Sequence, residues 1–305
     1  MAGRAHPVYP AAMHQIVNII GPTFFAVLVG YIFGRVSKAN LAPLIDISMY
    51  IAVPALAFSS MFASEIVIGE AVKVWAACLI IMAGTLVAAL LLFAVIRQKH
   101  SGLYLPIVFT NFINIPLPII YLAFGDAGAA QALLMYIPQG LIMYSLGVYV
   151  ASGEKDLKQG LRVMMRTPLI YAAILGLAFN LLHVPLPTVV VGSVKLLGQA
   201  AVPLMLLILG TSIGRFRLTQ IPLTAAASVL RVGGGFAFGV LAVWLLAITG
   251  VTRSVVLFEA AMPAAVFVSV LAAKYKNEEE LVSSVVLATT LMAIVVVPAL
   301  LYFLT

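Results

Sequence analysis

The chain has 305 residues, of which 64% are hydrophobic and only 9% carry a charge. A soluble globular domain carries about 25% charged residues and exposes a large surface, so this composition excludes a soluble protein. The net charge of +7 does not indicate a nucleic-acid-binding protein, because the basic residues lie in short loops between apolar runs.

Apolar runs of the length of a transmembrane helix follow one another along the whole chain. A helix needs about 20 apolar residues to cross a bilayer. The sequence predicts ten such spans, at residues 12–34, 41–62, 71–96, 101–124, 127–150, 167–183, 188–213, 219–249, 254–273 and 278–304. Residues 151–166, between the fifth and sixth spans, are predicted to form an amphipathic, basic loop.

The basic residues are distributed unequally between the two sides of the predicted membrane protein. The loops after spans 1, 3, 5, 7 and 9 hold Arg35, Lys38, Arg97, Lys99, Lys155, Lys158, Arg162, Arg166, Arg215, Arg217, Lys274 and Lys276. The opposite side holds only Arg4, Lys73 and Arg253. Basic loops stay in the cytoplasm, so residues 151–166 are expected there and both termini outside.

Three pairs of prolines recur in the same order in the two halves of the chain. Pro22 and Gly30 match Pro168 and Gly176 at the same spacing, Pro54 matches Pro203, and Pro116 matches Pro263. The sequence therefore predicts two repeats of five helices, residues 1–150 and 167–305. Because five is odd, the second repeat enters the membrane from the opposite side, as in inverted-repeat transporters. The alternative is that these prolines are unrelated, since membrane helices tolerate proline.

Spans 4 and 9, which occupy matching places in the repeats, have polar or proline residues at their centres. Span 4 contains Asn111, Asn114, Pro116 and Pro118, and span 9 contains Pro263. Proline removes a backbone donor, and in lipid the freed carbonyls need partners inside the protein. We expect two broken helices that cross at mid-membrane, where their inner ends form a site for a carboxylate and a cation. The alternative is a pair of simple kinks.

Four ionisable residues lie within the predicted spans: Asp46, Lys195, Arg231 and Glu259. Each intramembrane charge is costly, about 2.5 kcal/mol or more for Asp, Lys or Arg at a helix centre. Glu259 precedes Pro263 at the end of the first half of span 9, where a carboxylate needs a proton or a cation. The alternatives for Arg231 are an ion pair with Glu259 and a place in the substrate site. Asp46 and Lys195 are expected to be structural.

Oxygen and amide groups on span 4 complete the predicted site. Thr110, Asn111 and Asn114 are expected to share a Na⁺ or proton site with Glu259, since hard cations prefer oxygen ligands. Asn111 and Asn114, with Pro116, Pro263 and Arg231, are expected to form the substrate site.

The sequence resembles the auxin efflux carrier family, which includes plant PIN carriers and bacterial malate and malonate carriers. The resemblance rests on FEAAMPAAVFVSVLAAKYKNEEELVSSVVLATTL in span 9 and its tail, PTFFAVLVGYIFGR in span 1, and VPALAF in span 2. It implies the fold of bile-acid sodium symporters: ten helices, a crossover of helices 4 and 9, and separate scaffold and transport domains. It also implies that Glu259 matches the sodium-binding glutamate of those symporters, and it favours a homodimer. The family usually has glycines at Asn111 and Asn114.

These features predict a secondary transporter of elevator type that moves a small organic anion, such as an auxin-like or dicarboxylic acid, across the cytoplasmic membrane with Na⁺ or H⁺. No other cofactor and no nucleic acid is expected. An enzyme is disfavoured, because the chain has no H-E-x-x-H or G-x-S-x-G motif. A passive channel or a uniporter without ion coupling is the remaining alternative.

Overall fold

The computed structural model describes residues 9–37, 42–64, 68–97, 100–152, 165, 168–213 and 217–304, and these residues are almost entirely helical. The helices are α1 (Tyr9–Val36), α2 (Ala42–Ile47), α3 (Val53–Ala63), α4 (Ile68–Ile96), α5 (Tyr104–Val108), α6 (Pro116–Ile142), α7 (Val148–Ala151), α8 (Pro168–Leu181), α9 (Thr188–Gln199), α10 (Ala201–Ile213), α11 (Ile221–Val229), α12 (Gly235–Leu245), α13 (Gly250–Ala260), α14 (Val266–Tyr275) and α15 (Glu279–Leu304). Wider π-helical turns at Ser48–Ala52, Met143–Gly147 and Leu230–Gly234 join α2 to α3, α6 to α7 and α11 to α12. Most of the predicted loop 151–166 lies outside the described residues.

Six helical runs in the described ranges are long and apolar enough to cross a membrane. They are Pro43–Ala63, Ile68–Ile96, Pro116–Ile142, Thr188–Thr211, Ile221–Leu245 and Glu279–Leu304. Phe24–Val36, Pro168–Leu181 and Val266–Tyr275 are apolar but shorter. The difference from ten arises partly because spans 4 and 9 are interrupted. The count of ten and its inverted arrangement therefore stay a prediction.

Both of the predicted interruptions occur. α5 ends at Val108 and α6 begins at Pro116, while α13 ends at Ala260 and α14 begins at Val266. Pro116 occupies the first position of α6, where a missing N–H costs nothing. The two gaps, residues 109–115 and 261–265, lie side by side and are almost entirely buried.

α6 contains a second change of direction, at the boundary between predicted spans 4 and 5. Gly125 has φ 64° and ψ −156°, a conformation that an L side chain rarely adopts. Pro116–Phe124 and the remainder of α6 are therefore two separate segments, as the sequence predicts.

Two close helix contacts relate the halves of the chain. Gly30 of α1 lies against the backbone of Leu207 in α10, and Gly176 of α8 lies against the backbone of Phe58 in α3, with no space for a side chain at either glycine. The two glycines correspond to each other in the predicted repeat, and Phe58 and Leu207 each lie four residues after the prolines that the repeat matches, Pro54 and Pro203. Each half thus offers the same contact to the other, which is what a two-fold repeat requires.

Candidate substrate site at the crossing of two broken helices

The two gaps pair with each other as a short antiparallel bridge. Ala265 donates its backbone N–H to the carbonyl oxygen of Phe109 (2.8 Å), and Asn111 donates its N–H to that of Pro263 (2.8 Å). Thr110 and Ala264 are the bridged pair between these two bonds. The bridge satisfies backbone groups that lipid cannot satisfy, so the crossing fixes both gaps in an open, non-helical conformation.

Gln139 of α6 holds the centre of the first gap from the side. Its Oε1 accepts the N–H of Thr110 (3.0 Å), and its Nε2 donates to the Thr110 carbonyl (2.6 Å). Gln139 is 1% exposed. Its amide pairs with both backbone groups of Thr110, as a neighbouring strand would. Sequence reasoning missed this residue. Its signal is an amide directly after Pro138 in an apolar span that holds one other amide, Gln131.

The second gap has its own side-chain partner. The hydroxyl of Thr289 in α15 accepts the N–H of Ala264 at 3.2 Å. The same hydroxyl donates to the carbonyl of Val285, one turn earlier in α15 (2.7 Å). One polar side chain therefore holds each gap: Gln139 of α6 holds the first, and Thr289 of α15 holds the second.

Arg231 lies between the inner ends of the two first half-helices. Its Nη1 donates to the carbonyl oxygens of Ile107 (2.9 Å) and Val108 (3.1 Å), which end α5. Its Nη2 donates to the carbonyl of Ala260 (2.9 Å), which ends α13. The side chain is completely buried. One guanidinium thus donates to two carbonyls at the end of α5 and to one at the end of α13, groups that have no partner inside their own helix.

Glu259 is adjacent to this cluster but does not join it. It is completely buried on α13, and neither carboxyl oxygen has a hydrogen-bond partner among the described residues. The ion pair with Arg231 that the sequence left open is not formed, because the guanidinium donates to the backbone carbonyls of Ile107, Val108 and Ala260 instead. A buried carboxylate without a partner is costly, so Glu259 fits a place for a proton or a cation.

A cavity of about 550 Å³ lies on one side of the crossing. Its wall includes the first gap, part of α6, the start of α14 and residues of α2, α8 and α10. Of the predicted site residues, Thr110, Asn111 and Asn114 line this cavity. The others, Pro116, Pro118, Pro263, Arg231 and Glu259, pack around the crossing and are not part of the wall.

Asn111 lines the cavity and carries an unused hydrogen-bond donor. Its Oδ1 accepts the N–H of Asn114 (3.0 Å), which fixes the orientation of the amide. Its Nδ2 is buried and has no partner within the described part of the chain. Buried donors are normally satisfied, so an unpaired one at a cavity wall marks a place for a ligand acceptor.

Among the described residues that line the cavity, Asp46 is the one with a charged side chain. It was expected to be structural, yet it is exposed on α2 and borders the cavity. Tyr50 and Tyr136 lie in the same wall. The cavity therefore combines neutral donors with one acid, and any anion that enters it meets a carboxylate.

The chain is similar to known membrane transport proteins. Residues 154–301 match the family model described as "membrane transport protein". An uncharacterized transporter of Methanothermobacter thermautotrophicus is 29% identical over 291 residues, which cover 89% of this chain and 93% of the relative. An uncharacterized transporter of Methanocaldococcus jannaschii is 27% identical over 298 residues, which cover 92% and 96%. The resemblance to the auxin efflux carrier family is confirmed, and the chain is a multi-pass membrane transporter.

Proposed function

We propose that this membrane transporter, a relative of the auxin efflux carriers, is a secondary active carrier that moves a small organic anion across the cytoplasmic membrane. An auxin-like acid or a dicarboxylic acid has the size and charge that the cavity accommodates, since ligand pockets commonly measure about 300–1,000 Å³. The anion travels with Na⁺ or H⁺.

The unpaired Nδ2 of Asn111 is the observation that carries this proposal. It offers a carboxylate oxygen a hydrogen bond in a buried, water-poor position. The N-terminal end of α14 contributes beside it, because Ala265, Val266 and Phe267 line the same cavity. A helix N-terminus favours a negative group. Asn114 borders the cavity next to Asn111 and completes the polar side.

Two carboxyl groups supply the reason for ion coupling. Asp46 in the cavity wall opposes an incoming anion unless a cation or proton accompanies it. Glu259 behind the crossing lacks a partner of its own. A Na⁺ or a proton held at Glu259, or by the oxygen atoms of Thr110, Asn111 and Asn114, neutralises the site as the anion enters.

The position of the cavity supports an alternating-access mechanism. It separates the crossing from residues of α2, α8 and α10. A movement of the crossing helices against α1, α3, α8 and α10 carries the site from one side of the membrane to the other. Given the predicted orientation, Asp46 and Pro168 lie near the cytoplasmic side, so this conformation faces inward.

A thermal-shift screen of mono- and dicarboxylic acids, with and without Na⁺, tests the binding site. We expect at least one acid to raise the melting temperature of the purified wild type, and Asn111→Ala to lose that response. Gln131→Leu is the matched control, because Gln131 is a buried amide with an unpaired oxygen that does not line the cavity. If Asn111→Ala and Gln131→Leu respond like the wild type, Asn111 is not a substrate residue.

A further inference from the structure

We propose that Arg231 is a built-in cation of the crossing: its guanidinium permanently occupies the carbonyl site between the ends of α5 and α13 that a bound metal cation would otherwise take. The occupied site is a property of the fold and does not depend on the transported substrate. Its consequence for ion coupling rests on the proposed carrier function.

The ligand set around the guanidinium is that of a cation site. Three backbone carbonyl oxygens, those of Ile107, Val108 and Ala260, converge on it from two different helices. Carbonyl oxygens at helix C-termini have no partner inside the helix and carry partial negative charge. Hard cations take backbone carbonyl oxygens of this kind among their ligands. Here a side chain supplies the positive charge instead.

The fold provides space for the guanidinium. Arg231 lies in the π-helical turn Leu230–Gly234, a wider turn of a kind that often occurs at functional sites. One turn later, Gly235 lies so close that a Cβ atom there would collide with Nη2 of Arg231 and with the carbonyl oxygen of Ala260. The absence of a side chain at Gly235 is therefore required for the guanidinium to reach its carbonyls.

One cation serves both helices. In the first half of the chain, Gly84 of α4 stands as far before Pro116 as Arg231 stands before Pro263. A side chain at Gly84 would meet the ring of Phe238 in α12, so that place is filled by packing. The predicted repeat is therefore asymmetric at this point, and Arg231 bridges α5 and α13 from the second half alone.

The fixed charge excludes a second cation from the same carbonyls. A Na⁺ beside Arg231 would share its ligands and face a like charge at short range in a medium of low dielectric constant. The coupling ion of the carrier must then bind elsewhere, as a proton or ion at Glu259 or in the cavity near Asp46. Na⁺ dependence, if transport shows it, does not arise at the carbonyl site.

Chemical rescue tests the built-in cation without any substrate. Arg231→Ala leaves the carbonyls unpaired beside an arginine-sized space, and we expect a lower melting temperature in detergent. Guanidinium, at concentrations far below those that denature proteins, should restore most of that loss in Arg231→Ala. It should not stabilise the wild type or the control Arg253→Ala, which removes an exposed arginine of α13.

Two further variants separate charge from packing. Arg231→Lys keeps a cation and should retain most of the thermal stability, whereas Arg231→Met fills the space without charge and should not. Equal stability of Arg231→Met and the wild type, or an Arg231→Ala variant that guanidinium does not stabilise, overturns the proposal. If Arg231→Ala cannot be purified, the melting temperatures of Arg231→Lys and Arg231→Met are sufficient to test the proposal. None of these results depends on whether an organic anion is transported.

Discussion

Glu259 and Asp46 are acids in very different surroundings. Glu259 is fully enclosed beside the crossing with both oxygens unpaired, whereas Asp46 is exposed at the cavity wall. Burial without a partner makes the ionised form of a carboxyl group expensive, so the charge on Glu259 depends on whether a proton or cation is present. Asp46 is not enclosed in this way and acts instead on the anion that enters the cavity. The two residues therefore differ in how strongly each ties transport to an ion.

Glu259→Gln should abolish the ion dependence of uptake in proteoliposomes, because the amide has the same shape but cannot exchange a proton and has no negative charge for a Na⁺ to neutralise. Asp46→Asn is the matched comparison. It should keep the ion dependence that arises at Glu259 and increase the apparent affinity for the anion, since it removes a like charge from the wall. A Glu259→Gln variant with the full Na⁺ and pH dependence of the wild type would reduce Glu259 to a packing role.

At the residue scale, the sequence identifies what is rare but not what it contacts. Glu259 and Arg231 are conspicuous because charges are rare in apolar spans. Their arrangement was not predictable, since the partners of Arg231 are carbonyls more than a hundred residues away on α5 and nearby on α13. Gln139 gives a weaker signal still, because an amide in a membrane helix has many possible partners.

At the element scale, α12 and α13 approach each other closely beside the crossing. Gly235 and Gly239 both face Ala260 of α13, and a Cβ atom at either would collide with it. Gly235 and Gly239 are four residues apart, and small residues at this spacing are typical of closely packed membrane helices. The breaks at Pro116 and Pro263 and the close contact at Gly235 are predictable from the sequence, because proline and glycine act on the backbone directly.

Gly235→Ala should lower the melting temperature, because its Cβ displaces the guanidinium of Arg231 from Ala260. Gly233→Ala, two positions earlier, has open space around its Cβ and should be neutral or stabilising, by up to about 1 kcal/mol from helix propensity alone. The pair is compared by thermal unfolding in one detergent. Equal effects of the two substitutions would show that α12 and α13 do not meet as described.

At the scale of the whole molecule, composition and charge predict a multi-pass membrane protein and the comparisons agree. The Gly30–Leu207 and Gly176–Phe58 contacts support the repeat that three proline pairs predict. The cavity was not predictable, because its wall joins α2, α6, α8, α10 and α14, and only packing determines which of their faces meet. For that reason the sequence predicts only a structural role for Asp46 and does not reveal its place in the cavity wall.

Counterflow in proteoliposomes tests most directly whether the molecule is a carrier. Vesicles loaded with an unlabelled acid found by the thermal-shift screen are placed in a low concentration of the labelled acid. A carrier exposes one site alternately to the two sides, so labelled acid should accumulate transiently inside, and its uptake should saturate. Flux that does not saturate and shows no exchange would mean a passive channel, and would contradict the account.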